Sequence, residues 1–187
     1  MKNIHFPTLM MVCMAIWLSG TGCDHQEKST PCNICGVANW TTYSPSSEKF
    51  LVLMPIKPTV STKMIDSPAG QMSATFFTAT PLDQHAFVVI HGTYPPATDM
   101  TDVEKIFRQI DRSLLTTDAQ LISKTNITLQ GIYPGREFIL VKEDRVVTLR
   151  VYLVSREMYE VMCVMPTESN CQTHIHEFLD SFQIKQK

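Results

Sequence analysis

The stretch REFILVKEDRVVTLRVYLV, residues 136–154, decides the fold. Two runs rich in aliphatic and β-branched residues, 136–142 and 146–154, flank the charged residues 143–145, a pattern that predicts a β-hairpin. A third apolar run, MYEVMCVM at 158–165, follows after three residues and extends the hairpin. Connections this short join antiparallel strands, so the sequence predicts an antiparallel sheet.

Four more segments outside this hairpin show the composition of strands. Residues 50–55 (FLVLMP), 71–80 and 85–92 are expected to form a meander, with a turn at 66–70 (DSPAG). Residues 121–129 (LISKTNITL) supply the remaining strand, next to the turn QGIYPG at 130–135. The sequence therefore predicts seven strands.

Two helices are predicted, one between the strands and one at the C-terminal end. Thr101, with Glu104 three residues later, matches a capping box at the start of the first helix. Both helices place apolar residues on one face: Val103, Ile106, Phe107, Ile110 and Leu114 in the first, and Ile175, Phe178, Leu179 and Phe182 in the second, which covers 173–182. We therefore predict an α+β sandwich, a mostly antiparallel sheet of six or seven strands covered by two helices.

The N-terminal residues 1–22 match an export signal. Lys2 precedes an apolar run of 11 residues, TLMMVCMAIWL, which is too short to span a bilayer but typical of a signal peptide. Small residues at 19–22 then precede Cys23 and resemble the lipobox of bacterial lipoproteins, except that Gly20 stands where that pattern has leucine. We expect cleavage before Cys23 and lipidation of its thiol; the alternative is ordinary cleavage after Gly22 and a soluble secreted protein.

These features divide the chain into three parts. Residues 1–22 form the signal peptide, residues 23–38 a polar, lipid-anchored tether with no hydrophobic period, and residues 39–187 the folded domain. The expected location is the extracytoplasmic side of the bacterial cell envelope, with the membrane contacted through the lipid.

Several short motifs in the predicted domain resemble uncharacterised bacterial envelope proteins with a PsbP-like α/β/α sandwich. They are the turn G-x-x-P-G-R-E-F at 131–138, the strand R-x-Y-L-V at 150–154, Tyr159, and the terminal F-L-D-S-F at 178–182. An early F-x-V-x-M-P at 50–55 is similar as well. The resemblance implies a fold and a compartment, and it implies no reaction, catalytic residue or cofactor.

Cysteine parity is compatible with lipidation. The chain has six cysteines; removing Cys13 with the signal and Cys23 with the lipid leaves four, namely Cys32, Cys35, Cys163 and Cys171. An even number outside the cytoplasm favours two disulfides, and the sequence leaves all three pairings open.

Two alternatives assign chemistry to these cysteines. Cys32 and Cys35 form a C-x-x-C pair that could support thiol redox activity, although it lies in the tether rather than after a strand. Cys171, His174 and His176 could join that pair in a zinc site, because thiolate and imidazole are the ligands that zinc prefers. Structural disulfides are the favoured interpretation, and no metal or cofactor is predicted.

The remaining candidate site is the charged pair Arg136 and Glu137, which beside a Pro-Gly turn is expected to fix the hairpin geometry or lie on the solvated face, with a binding role as the alternative. His85 and His91, at opposite ends of one strand, are expected to be edge or surface histidines. A net charge of −2 gives no basic face for a nucleic acid, and no nucleophile elbow or glycine-rich phosphate loop is present. The sequence therefore favours a non-catalytic lipoprotein that binds an envelope partner.

Overall fold

The computed structural model describes residues 40–67, 70–82, 84–115, 118–169 and 172–185. The predicted signal peptide and tether lie outside these residues, and so do Cys23, Cys32, Cys35 and Cys171. Within the described residues there are ten strands and two helices. They are β1 (Thr41–Tyr43), β2 (Phe50–Met54), β3 (Thr59–Ser67), β4 (Gly70–Leu82), β5 (His85–Thr93), α1 (Val103–Leu115), β6 (Gln120–Leu129), β7 (Tyr133–Lys142), β8 (Arg145–Val154), β9 (Glu157–Pro166), α2 (Gln172–Ser181) and β10 (Gln183–Ile184).

Seven strands form one antiparallel sheet in the order β3-β4-β5-β9-β8-β7-β6. The sheet consists of two meanders, β3-β4-β5 and β6-β7-β8-β9, which meet where β5 pairs with β9 along eight residue pairs. Since β5 is the third strand and β6 lies at the far edge, the chain must pass over β9, β8 and β7 between them, and α1 makes this crossing. The predicted α+β fold class is confirmed.

The first face of the sheet is covered by α1. Four apolar residues of α1, which the helical pattern had predicted to face inward, are buried: Ile106, Phe107, Ile110 and Leu114. They pack on a cluster that includes Phe138, Leu140, Leu149 and Val151 from the sheet. Each buried side chain of this size contributes about 1.5–3 kcal/mol, so burial of this face is a major source of the stability of α1.

The second face is covered by α2 together with a three-stranded sheet, in the order β1-β2-β10. Its core is rich in aromatic rings, and Phe50 lies at its centre, 5.2 Å from Phe77 and 5.5 Å from Phe182 between ring centroids. Phe178 and Phe182 come from α2 and the residue after it, as predicted. Neither helix in the described ranges has the length and apolarity that a membrane span requires.

The predicted meander was wrong in its first strand. Residues 50–54 form β2, which belongs to the smaller sheet, and the place next to β4 is taken by β3. The sequence analysis missed β3 because its residues 59–64 are all exposed and therefore carry no apolar alternation. The predicted turn at 66–70 is shorter, because β3 continues to Ser67.

The predicted capping box was also displaced by one residue. The backbone N–H of Lys105 donates to Asp102 Oδ1 at 2.8 Å, so Asp102 is the N-cap of α1. The hydroxyl of Thr101 donates instead to Asp99 Oδ1 at 2.6 Å. The hydrogen bonds from Thr101 lower the pKa of the Asp99 carboxyl.

Candidate functional site

Arg136 and Glu137 point to opposite faces of the main sheet, because neighbouring residues of a strand alternate in direction. Arg136 reaches α1 on the first face, and Glu137 bonds to Arg150 on the second. The two predicted binding residues therefore do not form one site, and each belongs to a separate ionic cluster.

The Arg136 cluster lies between α1 and β7. Arg136 Nη1 is 3.0 Å from Asp111 Oδ2, Nη2 is 3.0 Å from Glu104 Oε2, and Nε donates to Asn126 Oδ1 at 3.0 Å. The guanidinium carbon also lies 4.7 Å from the centroid of the Phe107 ring, a cation–π contact. Each nitrogen already donates and only 5% of the side chain is exposed, so Arg136 holds α1 on the sheet.

The Arg150 cluster lies on the other face, between β8 and α2. Arg150 Nε is 2.6 Å from Glu137 Oε2, and Nη1 is 2.6 Å from Asp180 Oδ1. Burial opposes the charge on Arg150, but the hydrogen bonds to Glu137 and Asp180 outweigh it and raise the pKa of the guanidinium. Glu137 and Arg150 are direct cross-strand partners, and Asp180 lies on α2. This cluster therefore ties the second helix to the sheet.

His91 is the centre of a third cluster, which the sequence analysis did not predict. Its Nδ1 lies 2.6 Å from Glu48 Oε2 and its Nε2 lies 2.6 Å from Glu157 Oε2. The imidazole stacks on the Tyr159 ring at 4.7 Å, and Thr93 donates to the same Glu157 oxygen. Burial, followed by the charges of Glu157 and Glu48, raises the pKa of Tyr159. Glu48 lies in the loop between β1 and β2, so this cluster joins a loop of the smaller sheet to the main sheet.

One of the four disulfide candidates, Cys163, lies among the described residues. Cys163 is a free thiol, wholly buried in β9, and burial raises its pKa well above the ordinary value. A buried neutral thiol in a core is inert rather than redox-active. Cys32, Cys35 and Cys171 lie outside the described residues, so their pairing stays a prediction.

The two histidines of the alternative metal site lie at the start of α2. His174 Nδ1 is 2.9 Å from Glu177 Oε2, and the His174 ring stacks on Trp40 at 5.9 Å. His176 is exposed. Among the described residues no group of three or more histidine, cysteine or acidic side chains could hold a metal ion.

A half-open cleft of about 420 Å³ lies at the end of the sheet beside the first turn of α1. Its walls are mostly apolar, and one charged residue, Arg156, reaches it from the β8–β9 turn. The lining residues are Met100, Val103, Tyr133, Pro134, Leu153, Ser155 and Arg156.

The outer edge of β3 is the second accessible surface. As the terminal strand of the main sheet, β3 has no strand paired on its outer side within the described ranges. Four of the seven large apolar side chains that the described residues expose lie on or beside the β3–β4 hairpin: Ile56, Val60, Met64 and Leu82. We call β3 and these four side chains the β3 edge.

The comparisons with known proteins concern the fold. No family model matches the sequence, and no curated protein matches it. Cyanobacterial PsbP (CyanoP) from Synechocystis sp. PCC 6803 superposes with a TM-score of 0.53 at 13% identity, covering 89% of this chain and 98% of that chain. PA94, a protein of unknown function from Pseudomonas aeruginosa, has a TM-score of 0.32 at 12% identity, covering 74% of this chain and 88% of that chain.

The likeness to CyanoP, with its TM-score above 0.5, shows that the domain has a PsbP-like fold. This agrees with the fold that the sequence resemblance implied. An identity of 13% shows the fold alone, and a fold of this kind does not determine a function.

Proposed function

We propose that the protein is a lipid-anchored lipoprotein of the bacterial cell envelope, whose domain binds an envelope protein and catalyses no reaction itself. The observation that carries the partner-binding part is the β3 edge. The N-terminal sequence supports the anchor, and the PsbP-like fold supplies the rigid domain that the anchor would hold at the membrane.

The anchor rests on the order of features before the domain. An apolar run of signal-peptide length, small residues at 19–22 and Cys23 follow one another, and a polar segment at 24–38 separates Cys23 from the first described residue, Trp40. Each buried methylene of an acyl chain contributes about 0.8 kcal/mol of membrane affinity, so several chains on one cysteine would hold the protein firmly.

The β3 edge has the properties of a surface that accepts another strand. An unpaired edge presents a row of backbone N–H and C=O groups, and proteins often protect such edges with proline, charges or short strands. β3 is nine residues long, contains no proline and has two charged residues, Lys63 and Asp66. Val60 and Met64 are 55% and 63% exposed and lie on one face, since they are four positions apart.

We identify the occupant as an extended segment of a second protein that adds to the sheet beside β3. Such β-augmentation takes its affinity from main-chain hydrogen bonds and its specificity from alternate side chains. The chain's own residues 24–38 are polar, with no apolar alternation to match Val60 and Met64. A separate envelope protein with an alternating apolar strand fits this surface better.

The anchor is tested by Cys23→Ser, with Cys32→Ser as the matched control. We expect Cys23→Ser to move the protein from the membrane fraction to the soluble extract, while Cys32→Ser stays with the membrane. Mass spectrometry of the wild-type N-terminus should find an acylated Cys23. A Cys23→Ser protein that stays at the membrane, or an unmodified thiol at position 23, would refute the anchor.

Partner binding is tested by site-specific photo-cross-linking in cells, with benzoylphenylalanine at position 64 and, as control, at position 122. Ile122 is 53% exposed on β6, the opposite edge of the sheet. We expect an adduct with a second protein from position 64 alone, and we expect Val60→Lys with Met64→Lys to abolish it. Adducts that are only internal or only dimeric, or the same adduct from position 122, would refute the proposal.

The redox and zinc alternatives are a separate matter. They require Cys32, Cys35 and Cys171, which lie outside the described residues, and the described His174 and His176 do not favour them. They remain predictions that thiol titration and zinc analysis of the purified protein can test.

A further inference from the structure

We propose that the cleft beside Arg156 is a binding site for a small carboxylic acid with an apolar body, such as a medium-chain fatty acid. This site is separate from the β3 edge, and nothing in the proposed function requires it. The inference rests on two properties of the cleft: an arginine that no carboxylate of the described residues contacts, and walls that are mostly apolar.

Arg156 is the charged group of the cleft, and the protein does not neutralise it. No carboxylate of the described residues lies within 4 Å of its guanidinium, whereas Arg136 and Arg150 each contact two. Its Nη2 donates to two neutral acceptors, the carbonyl oxygens of Pro95 and Thr98. A partly buried arginine without an acidic partner favours an anionic ligand, and its planar fork matches a carboxylate.

Two buried polar atoms at Arg156 lack hydrogen-bond partners within the described chain. They are Nε of Arg156 itself and Oγ1 of Thr98, whose carbonyl oxygen lies 3.0 Å from Arg156 Nη2. A buried donor without an acceptor is unfavourable, so this arrangement is retained against a cost in stability. A bound carboxylate would meet Arg156 where its side chain lines the cleft rather than at these two buried atoms.

The rest of the cleft suits an apolar body. Met100, Val103 and Leu153 supply aliphatic surface, and the Tyr133 ring lies with Pro134 at the start of β7. A volume of about 420 Å³ lies within the range of small-molecule sites, which are mostly apolar with a few polar groups that fix the orientation. One anionic head and one apolar tail would therefore satisfy both parts of the cleft.

The test compares three ligands with the same eight-carbon chain: octanoate, 1-octanol and octylammonium. Binding is measured by titration of the ¹⁵N-labelled protein, which reports both affinity and location. We expect octanoate to shift the amides of residues 153–156 and 100–103 and to bind at least about tenfold more tightly than octanol, because hydrogen bonds between ionised groups are stronger than those between neutral groups. We expect no binding of octylammonium at these amides.

The variants separate the charge from the shape of the cleft. Arg156→Met should abolish the roughly tenfold preference for octanoate over octanol. Arg156→Lys should retain part of this preference, because the charge remains. Val103→Phe keeps Arg156 but fills the cleft, so it should weaken both ligands. Arg112→Met, which removes an exposed arginine elsewhere on α1, should leave the preference unchanged.

The wild-type ligand series keeps the test valid even if a variant fails to fold. No detectable octanoate binding, equal affinities for octanoate and octanol, or shifts confined to other residues would each overturn the proposal. So would a folded Arg156→Met protein that still prefers octanoate.

Discussion

On each face of the main sheet, one arginine forms ion pairs that hold a helix on the sheet, but the two arginine side chains differ in burial. Arg136 on the α1 face is 5% exposed and has two carboxylates, an amide and the Phe107 ring around it. Arg150 on the α2 face is 14% exposed and also has two carboxylates around it; in each cluster one carboxylate is mostly exposed, Glu104 at 59% and Asp180 at 63%. The two clusters therefore differ in the burial of the guanidinium and in the extra contacts that Arg136 makes.

This difference should determine how much each arginine contributes to stability. Removing one member of a buried ionic cluster leaves the other charges uncompensated, and the cost reaches several kcal/mol. Near the surface, water solvates the charge that remains, and the cost is smaller. The aromatic core around α2 also retains its packing without Arg150, so the α2 face depends less on its arginine.

The largest effect is expected for Arg136→Met, which keeps the aliphatic stem and removes the charge. We expect the free energy of unfolding to fall by about 3 kcal/mol, because Glu104 and Asn126 lose their partner and Asp111 keeps only its bond to Lys124, which is 44% exposed. Urea unfolding, followed by circular dichroism, measures the change.

The double variant Arg136→Met with Asp111→Asn is the control for this prediction. It should recover part of the loss, because without Arg136 the Asp111 carboxylate keeps only the part-exposed Lys124 as a partner, and the amide removes its charge. A loss below about 1 kcal/mol for the single variant, or no recovery in the double variant, would mean that Arg136 does not hold α1 on the sheet.

A smaller loss, about 1.5–2 kcal/mol, is expected for Arg150→Met. The variant removes two hydrogen bonds between charged groups, but solvent can reach Asp180 and part of Glu137. The same urea experiment applies, with Arg112→Met as a control expected to stay within about 0.5 kcal/mol of the wild type. If Arg150→Met costs as much as Arg136→Met, burial does not explain the difference between the faces.

The smallest effect concerns the cap that sets the start of α1 on the Arg136 face. Asp102→Ala should cost about 1 kcal/mol, because the N–H of Lys105 loses its carboxylate acceptor and keeps only the backbone carbonyl of Asp102 at 3.1 Å. Thr101→Ala, which removes only the hydroxyl bonded to Asp99, should cost less than about 0.5 kcal/mol. A larger loss for Thr101→Ala than for Asp102→Ala, measured by thermal or urea unfolding, would support Thr101 as the N-cap, as the sequence predicted.

Local patterns predicted most of the elements. The predicted strands at 136–142, 146–154 and 158–165 correspond to β7, β8 and β9. The residues on the apolar face of α1 were also predicted. The turn residues also agree with the structure: Glu143 adopts a positive φ of 54° in the β7–β8 turn. These features depend on neighbours within a few positions, so one sequence is enough to find them.

Contacts between distant residues were not predictable in this way. Glu104 and Arg136 are 32 residues apart, and His91 and Glu157 are 66 residues apart. Nothing in the local sequence of His91 indicates that two carboxylates enclose its ring. β3 was missed for a related reason, since an exposed edge strand buries no side chains at 59–64 and leaves no periodic signal.

By itself, the sequence determined the type of most elements and which side chains of α1 and α2 face inward, because hydrophobic periodicity is a property of consecutive residues. Only the folded chain shows that β2 joins the smaller sheet, that Arg136 and Glu137 lie on opposite faces, and that Arg156 lines a cleft where no carboxylate of the described residues contacts it. Each of these depends on which strands pair and how the chain crosses the sheet, and burial of the two apolar faces sets that arrangement over the whole chain.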